Sequence, residues 1–113
     1  MADITYSDEV LELIAERFRV LAEPARLRIL QVLMTGEHSV TQLVERTGLG
    51  QANVSKHLGL LRSAEFVRRR KDGLYAFYSV HDPSVEELCR IMCDRLEAGA
   101  SGVNDLLAAT AGS

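Results

Sequence analysis

No stretch of this sequence approaches the roughly 20 consecutive apolar residues needed to cross a bilayer, which excludes a membrane span. Cysteine is scarce. Cys89 and Cys93 are the only two, and at four residues apart they would close too short a loop to staple a fold. The opening stretch from Met1 to Glu9 carries Asp3, Asp8 and Glu9 but no Lys or Arg. It reads as neither a secretory signal nor a transit peptide, and a reducing cytoplasm is the expected setting. Internal repeats, low-complexity tracts and long linkers are missing. So are an activated nucleophile pair, a local metal-ligand set and a glycine-rich phosphate loop, so no enzyme is expected.

What is present is one domain's worth of chain, 113 residues, long enough to hold a modest core without staples. A net charge of −3 does not suggest a polyanion as partner, but the total conceals an uneven distribution. From Gln51 to Tyr75 there are six basic residues against two acids; the rest of the chain holds seven bases against fourteen acids. A basic island in an acidic chain is either a solvated face or a contact surface for phosphate, depending on the elements that carry it.

Apolar residues Val10, Leu11, Ile14, Phe18 and Leu21 recur mostly at spacings of three and four, predicting a helix that starts after Ser7. Glu23-Pro24 breaks it, and Pro24 suits the first position of a second helix carrying Leu27, Ile29, Leu30, Leu33 and Met34 and ending near Gly36. Ser39 and Gln42 have the spacing of a capping box and open a short helix from Val40 to Thr47. Gly48-Leu49-Gly50 is a turn, and a fourth helix follows over Gln51 to Ser63. Phe66 to Arg70 and Leu74 to Val80 read as strands joined through Asp72-Gly73, a strong hairpin signal. Ser84 and Glu87 have capping-box spacing at the start of a last helix with a stripe of Val85, Leu88, Met92 and Leu96, stopped by Gly99. The tail from Gly102 to Ser113 reads either as a short helix over Val103 to Leu107 or as a loose segment. The expected fold is mainly α: a winged helix–turn–helix with four helices, a two-stranded hairpin wing and a C-terminal helix, as one domain over 1–113.

On the fourth helix, a 100° advance per residue puts Val54, Leu58 and Leu61 on one core-facing side. Ala52, Lys56, Gly59 and Ser63 point the other way, with Asn53 and Ser55 on the flanks. Small residues allow close approach to a major groove, Asn and Gln can read adenine edges, and Lys can reach guanine or phosphate. This puts Gln51, Ala52, Asn53, Ser55 and Lys56 at the groove. Arg68, Arg69, Arg70 and Lys71 approach the hairpin tip, placed to meet flanking phosphates, with Tyr75 a hydrogen-bond donor beside them and Phe77 or Tyr78 packed inward. His57, close to the core side, is expected to pack at the core edge and bond the backbone; His38 and His81 are expected at the surface.

Glu23-Pro24-Ala25-Arg26-Leu27-Arg28-Ile29-Leu30, then Val54-Ser55-Lys56-His57-Leu58 with Leu61-Arg62, and finally Gly73 with Tyr78, resemble the ArsR/SmtB family of bacterial transcriptional repressors. The similarity runs from about Val10 to Leu96. It implies a homodimeric repressor that binds double-stranded operator DNA and leaves it when a metal ion or other signal arrives, with dimerisation helices at about 8–22 and 83–98. Glu65-Phe66 departs from the family, where Gly-Leu is more usual; Phe66 still supplies the apolar residue, so little effect is expected. The resemblance also covers two sensor layouts. One needs thiols where this chain has Ser39 and Thr41. The other keeps Asp82, but its remaining ligand positions fall on Ser84, Arg95 and Ala98, which removes the zinc, nickel or cobalt site.

Cys89 and Cys93 lie at the edge of the last helix's apolar stripe. As small hydrophobes they would fill a dimer seam. As thiolates they would suit a soft ion such as arsenite, cadmium or lead, with a third ligand or the partner subunit's pair completing the site. A redox-responsive repressor and a winged-helix protein-interaction module that never touches DNA are the other readings. A steep loss of affinity with salt distinguishes a DNA binder from the last.

Overall fold

The computed structural model describes residues 5–99 and divides into two compact units, one running through Asp82 and the other beginning at Pro83. In the first unit α1 (Asp8–Leu21) and α2 (Pro24–Leu33) precede a short strand β1 (His38–Ser39). Helices α3 (Val40–Thr47) and α4 (Gln51–Ser63) follow, then strands β2 (Val67–Asp72) and β3 (Tyr75–Val80). The second unit contains α5 (Ser84–Gly99). This is a mainly helical winged helix–turn–helix. The possible helix over 103–107 lies outside the described residues.

Local chemistry sets most boundaries. The Ser7 side chain accepts a hydrogen bond from the Val10 amide at 3.3 Å, and Asp8 and Glu9 sit at the positive end of the α1 dipole. Pro24 opens α2, where its missing N–H costs nothing. Ser39 and Gln42 form the reciprocal capping box, with bonds of 3.2 and 2.8 Å. Gly48 ends α3 at φ +77°, a conformation that favours glycine.

The core of the first unit is aliphatic. Ile29, Leu30 and Leu33 of α2, Leu43 of α3, and Val54, Leu58 and Leu61 of α4 are buried together with Phe66 and Val67. Each such side chain contributes about 1.5–3 kcal/mol relative to exposure. Val54, Leu58 and Leu61 are at most 1% exposed, so the core side of α4 is the one its periodicity predicts. The α1 stripe is different. Val10, Leu11 and Phe18 are exposed and Ile14 and Leu21 half-buried, while the buried residue of the helix is Val20, which lies outside that stripe. In α5, Val85 is buried while Ile91, Met92 and Leu96 are exposed.

Three details correct the sequence-based expectations. The wing is a three-stranded antiparallel sheet in the order β1-β3-β2, not a two-stranded hairpin, because His38 pairs with Tyr78 and Ser39 with Phe77. His38 is buried, not at the surface, and its Nδ1–H donates to the Gly36 carbonyl at 2.7 Å. The hairpin loop is Gly73-Leu74, one residue later than the Asp-Gly signal suggests: Asp72 pairs with Tyr75, and the positive φ falls on Gly73 alone.

A fourth concerns the Glu65-Phe66 departure. The Phe66 amide donates to the Leu61 carbonyl and the Glu65 amide to that of Arg62, both at 3.0 Å, which is a Schellman closure of α4. Glu65 sits at its left-handed position with φ +64°. Phe66 is buried as expected, but Glu65 holds a conformation in which glycine would be unstrained.

Candidate nucleic-acid interface

Helix α3, its turn and α4 are fixed by buried groups, leaving one side of α4 outward. Thr47 closes the turn from within. Its hydroxyl donates to the Leu43 carbonyl at 2.6 Å and accepts from the Leu49 amide at 3.2 Å. Sequence reasoning missed this buried threonine, whose signal is a hydroxyl residue immediately before the αL glycine. Gly50 caps α4 with no side-chain bond. Gln51, Ala52, Asn53, Ser55 and Lys56 are all exposed, so the structure brings these five residues to one accessible end of one helix. That end combines small residues, amides, a hydroxyl and a cation, a set suited to base edges and phosphate.

Arg68, Arg69, Arg70 and Lys71 are also all exposed, but they are not equivalent. Arg70 lies opposite Phe77, with its guanidinium 5.0 Å from the ring centroid, and reaches across the middle strand to Glu37 in a bidentate pair at 2.7 and 3.0 Å. Asp72 adds a carboxylate 3.7 Å away. The Arg70 hydrogen bond holds the Glu37 carboxyl below its ordinary value, and Glu37 in turn raises Arg70. Arg68 donates to His81 Nδ1 through Nε and Nη2, at 3.1 and 2.7 Å. Arg69 and Lys71 alternate onto the other face. Among the described residues neither has an ion pair or a side-chain hydrogen bond. Tyr75 is exposed at the tip, whereas Phe77 and Tyr78 are half-buried.

Behind α4, Arg17 of α1 donates to the Ala64 carbonyl at 2.7 Å and to Asp82 at 2.8 Å, with its guanidinium 4.3 Å over the Phe66 ring. His57 is buried at the core edge as expected, but its partner is a side chain and not the backbone: Arg26 Nη1 approaches its Nδ1 at 3.1 Å. An arginine N–H can only donate, so Nδ1 accepts and the ring proton sits on Nε2. Burial and the cationic Arg26 and Lys56 hold His57 below its ordinary value against a smaller opposing effect of Glu23. Arg26, Arg17 and Glu37 were not legible as site-shaping residues, since each acts on a residue more than thirty positions away.

Cys89 and Cys93 are half-buried, free thiols one turn apart on α5. Burial pushes the Cys89 thiol up. Among the described residues, no three His, Cys, Asp or Glu side chains are grouped to hold a metal ion. Among the described residues, no helix is long and apolar enough to cross a membrane.

Comparisons with known proteins bear on the family and the fold. The sequence profile of the bacterial regulatory protein, arsR family, matches residues 23–69. An uncharacterized HTH-type transcriptional regulator of Mycobacterium tuberculosis, Rv0081, is 38% identical over 80% of this chain and 87% of its own length. Its crystal structure superposes with a TM-score of 0.74, covering 81% of this chain and 93% of that one. A probable mercury resistance operon repressor of Streptomyces lividans is 43% identical over 66% of this chain and 59% of its length. A homodimeric winged helix–turn–helix DNA-binding domain from Mycobacterium bovis, 28% identical, superposes with a TM-score of 0.72 over 85% of this chain and 95% of that one.

Proposed function

Since the chain belongs to the arsR family of bacterial regulatory proteins, a family of transcriptional regulators and not of enzymes, we propose that it is a cytoplasmic, homodimeric repressor that binds a near-palindromic operator. The observation that carries this reading is the outward end of α4, held by a buried opposite side, in a chain whose strand β2 also exposes four consecutive cations. Gln51, Ala52, Asn53, Ser55 and Lys56 address the major groove. Arg69 and Lys71 supply the phosphate contacts of the wing, with Arg68 and Arg70 behind them. Dimerisation uses the exposed apolar residues of α1 and α5, as two separate stripes that a second copy would cover. Two recognition helices would then lie about one DNA turn apart, roughly 34 Å.

The test is fluorescence anisotropy on a duplex selected by the protein from a random pool, titrated with salt. Lys56→Ala flattens the salt slope by about one unit, and Asn53→Ala costs about 1–3 kcal/mol at one base position. Unchanged binding in both variants, or a monomer by sedimentation with and without DNA, overturns the reading.

The inducer we propose is a soft metal or metalloid ion, such as arsenite, cadmium or lead, held by Cys89 and Cys93 with a further ligand from the second subunit. Two half-buried thiols one turn apart support it, as does similarity to a probable mercury resistance repressor. The raised Cys89 thiol means that the ion must displace a proton. Cys89→Ser with Cys93→Ser abolishes release of DNA by the ion and leaves binding in its absence intact. A double variant that still releases DNA returns both cysteines to a packing role.

A further inference from the structure

The DNA-binding reading accounts for the outward side of α4, but not for the part-buried arginine–histidine pair on its inward side. Arg26, in the first turn of α2, is held at three points. Its Nε donates to the Val20 carbonyl, its Nη2 approaches the Arg19 carbonyl at 3.5 Å, and its Nη1 donates to His57 Nδ1 at 3.1 Å. The first two acceptors are carbonyls in the last turn of α1. The third lies on α4 between Lys56, which is exposed, and Leu58, which is buried. One guanidinium therefore spans the end of α1, the start of α2 and the middle of the recognition helix.

We propose that Arg26 is a positioning residue for operator binding, acting through His57: it ties the end of α1 to α4, and the tie holds only while the imidazole is neutral. The inference rests on the DNA-binding reading and adds a control to it. Arginine stays protonated, so the contact needs a lone pair on Nδ1. A second proton would turn that acceptor into a donor and set two cations 3.1 Å apart in a part-buried site. The facing charged groups are Arg26 and Glu23 from α2 and Lys56 from α4 itself; Glu23 favours the protonated ring, whereas both cations oppose it. Burial opposes it most.

The direction in pH follows. His57 is held below its ordinary 6.5 in the folded chain, so the pair is intact above that value. As pH falls below 6.5, the unfolded chain binds the proton more readily than the folded one, and the stability linked to the neutral ring is lost. Ring displacement would be passed along the backbone to Ser55 and Lys56. Acidification otherwise adds positive charge and strengthens attraction to phosphate. A loss of affinity thus has the opposite sign to the general electrostatic effect.

The experiment uses the full chain and has two arms. In the first, the histidine rings are followed by NMR without DNA. His57 should show the Nε2–H tautomer near neutral pH and a titration that moves upward in Arg26→Gln. An Nδ1–H tautomer, or a titration indifferent to Arg26→Gln, overturns the pair whatever the DNA result. In the second, affinity for a selected duplex is compared at about pH 7.5 and about pH 5.5 at fixed salt, within the range where histidine titrates. Circular dichroism at each pH verifies that the chain is folded. The wild type should weaken on acidification by about fivefold or more. His57→Gln, whose Oε1 can accept from Arg26 at either pH, should lose the decline and bind at the lower pH at least as tightly as at the higher. His81→Gln should keep the wild-type ratio. Wild-type binding that strengthens in acid, a His57→Gln decline as steep as wild type, or loss of the decline in His81→Gln overturns the proposal. Failure to select any duplex counts against DNA binding alone, and the ring titration then decides the pair.

Discussion

Helix α4 and strand β2 present exposed polar residues by opposite means. In α4, burial and display fall on different residues: Val54, Leu58 and Leu61 are inside, and Gln51, Ala52, Asn53, Ser55 and Lys56 are outside. In β2, Val67 alone is buried, and its four consecutive cations divide by face instead. Arg68 and Arg70 bind His81 and Glu37, while Arg69 and Lys71 have no such partners among the described residues. A helix can thus be read for contact residues from its burial pattern. On a strand of uniformly exposed cations, the number of charges overstates the number available to phosphate.

The comparison breaks most visibly from the core side. Leu58→Ala should destabilise the chain by about 2–5 kcal/mol, since Leu58 is 1% exposed and its neighbours can collapse only in part. Urea unfolding measures it. An effect no larger than that of an exposed α4 substitution would remove the division of labour along the helix.

Next in size is the division within the wing. Arg69→Ala should flatten the salt dependence of DNA binding by about one unit while shifting stability by under about 0.5 kcal/mol. Arg70→Ala should flatten it less and destabilise more, because the exposed pair with Glu37 and the contact with Phe77 are lost together. Equal salt slopes for the two variants would show that pairing with Glu37 does not withhold Arg70 from phosphate.

The junction between the two regions gives a smaller effect of the opposite sign. Glu65→Gly should stabilise by up to about 1 kcal/mol, the left-handed strain relieved being offset in part by glycine's greater freedom when unfolded. Thermal unfolding reads this directly, and a destabilised variant would count against the strain. The smallest effect is a titration. Arg70 holds the Glu37 carboxyl below its ordinary 4.5, so the pair persists above that pH and is lost as pH falls below it. The carboxyl resonance should return towards its ordinary midpoint in Arg70→Ala.

What the sequence made legible, and what it hid, follows the range of the interactions. Ser39, Gln42 and Gly48 act on residues a few positions away, so the limits of α3 could be read in advance. The α4 core side follows from periodicity over thirteen residues. Strand β1 has two residues, too few to show any period, and its pairing depends on a register with a distant hairpin. The pairing of Arg70 with Glu37 and of Arg26 with His57 spans 33 and 31 positions, so nothing near either arginine indicates that it is engaged. Glu65 stood out as a departure, but its conformational cost depends on the Schellman bonds that close α4.

Ser39 belongs to two structures at once: it caps α3 and pairs with Phe77 in the sheet. The companion pair, His38 with Tyr78, closes a loop of about forty residues, for which the entropic cost is about 3 kcal/mol before any constant term. Two residue pairs cannot repay that alone. Strand β1 therefore forms only when the hairpin and the start of α3 form with it, and disruption of either is felt by the other. The helix–turn–helix and the wing should then melt as a single cooperative block, so the outward end of α4 and the wing cations are gained or lost together.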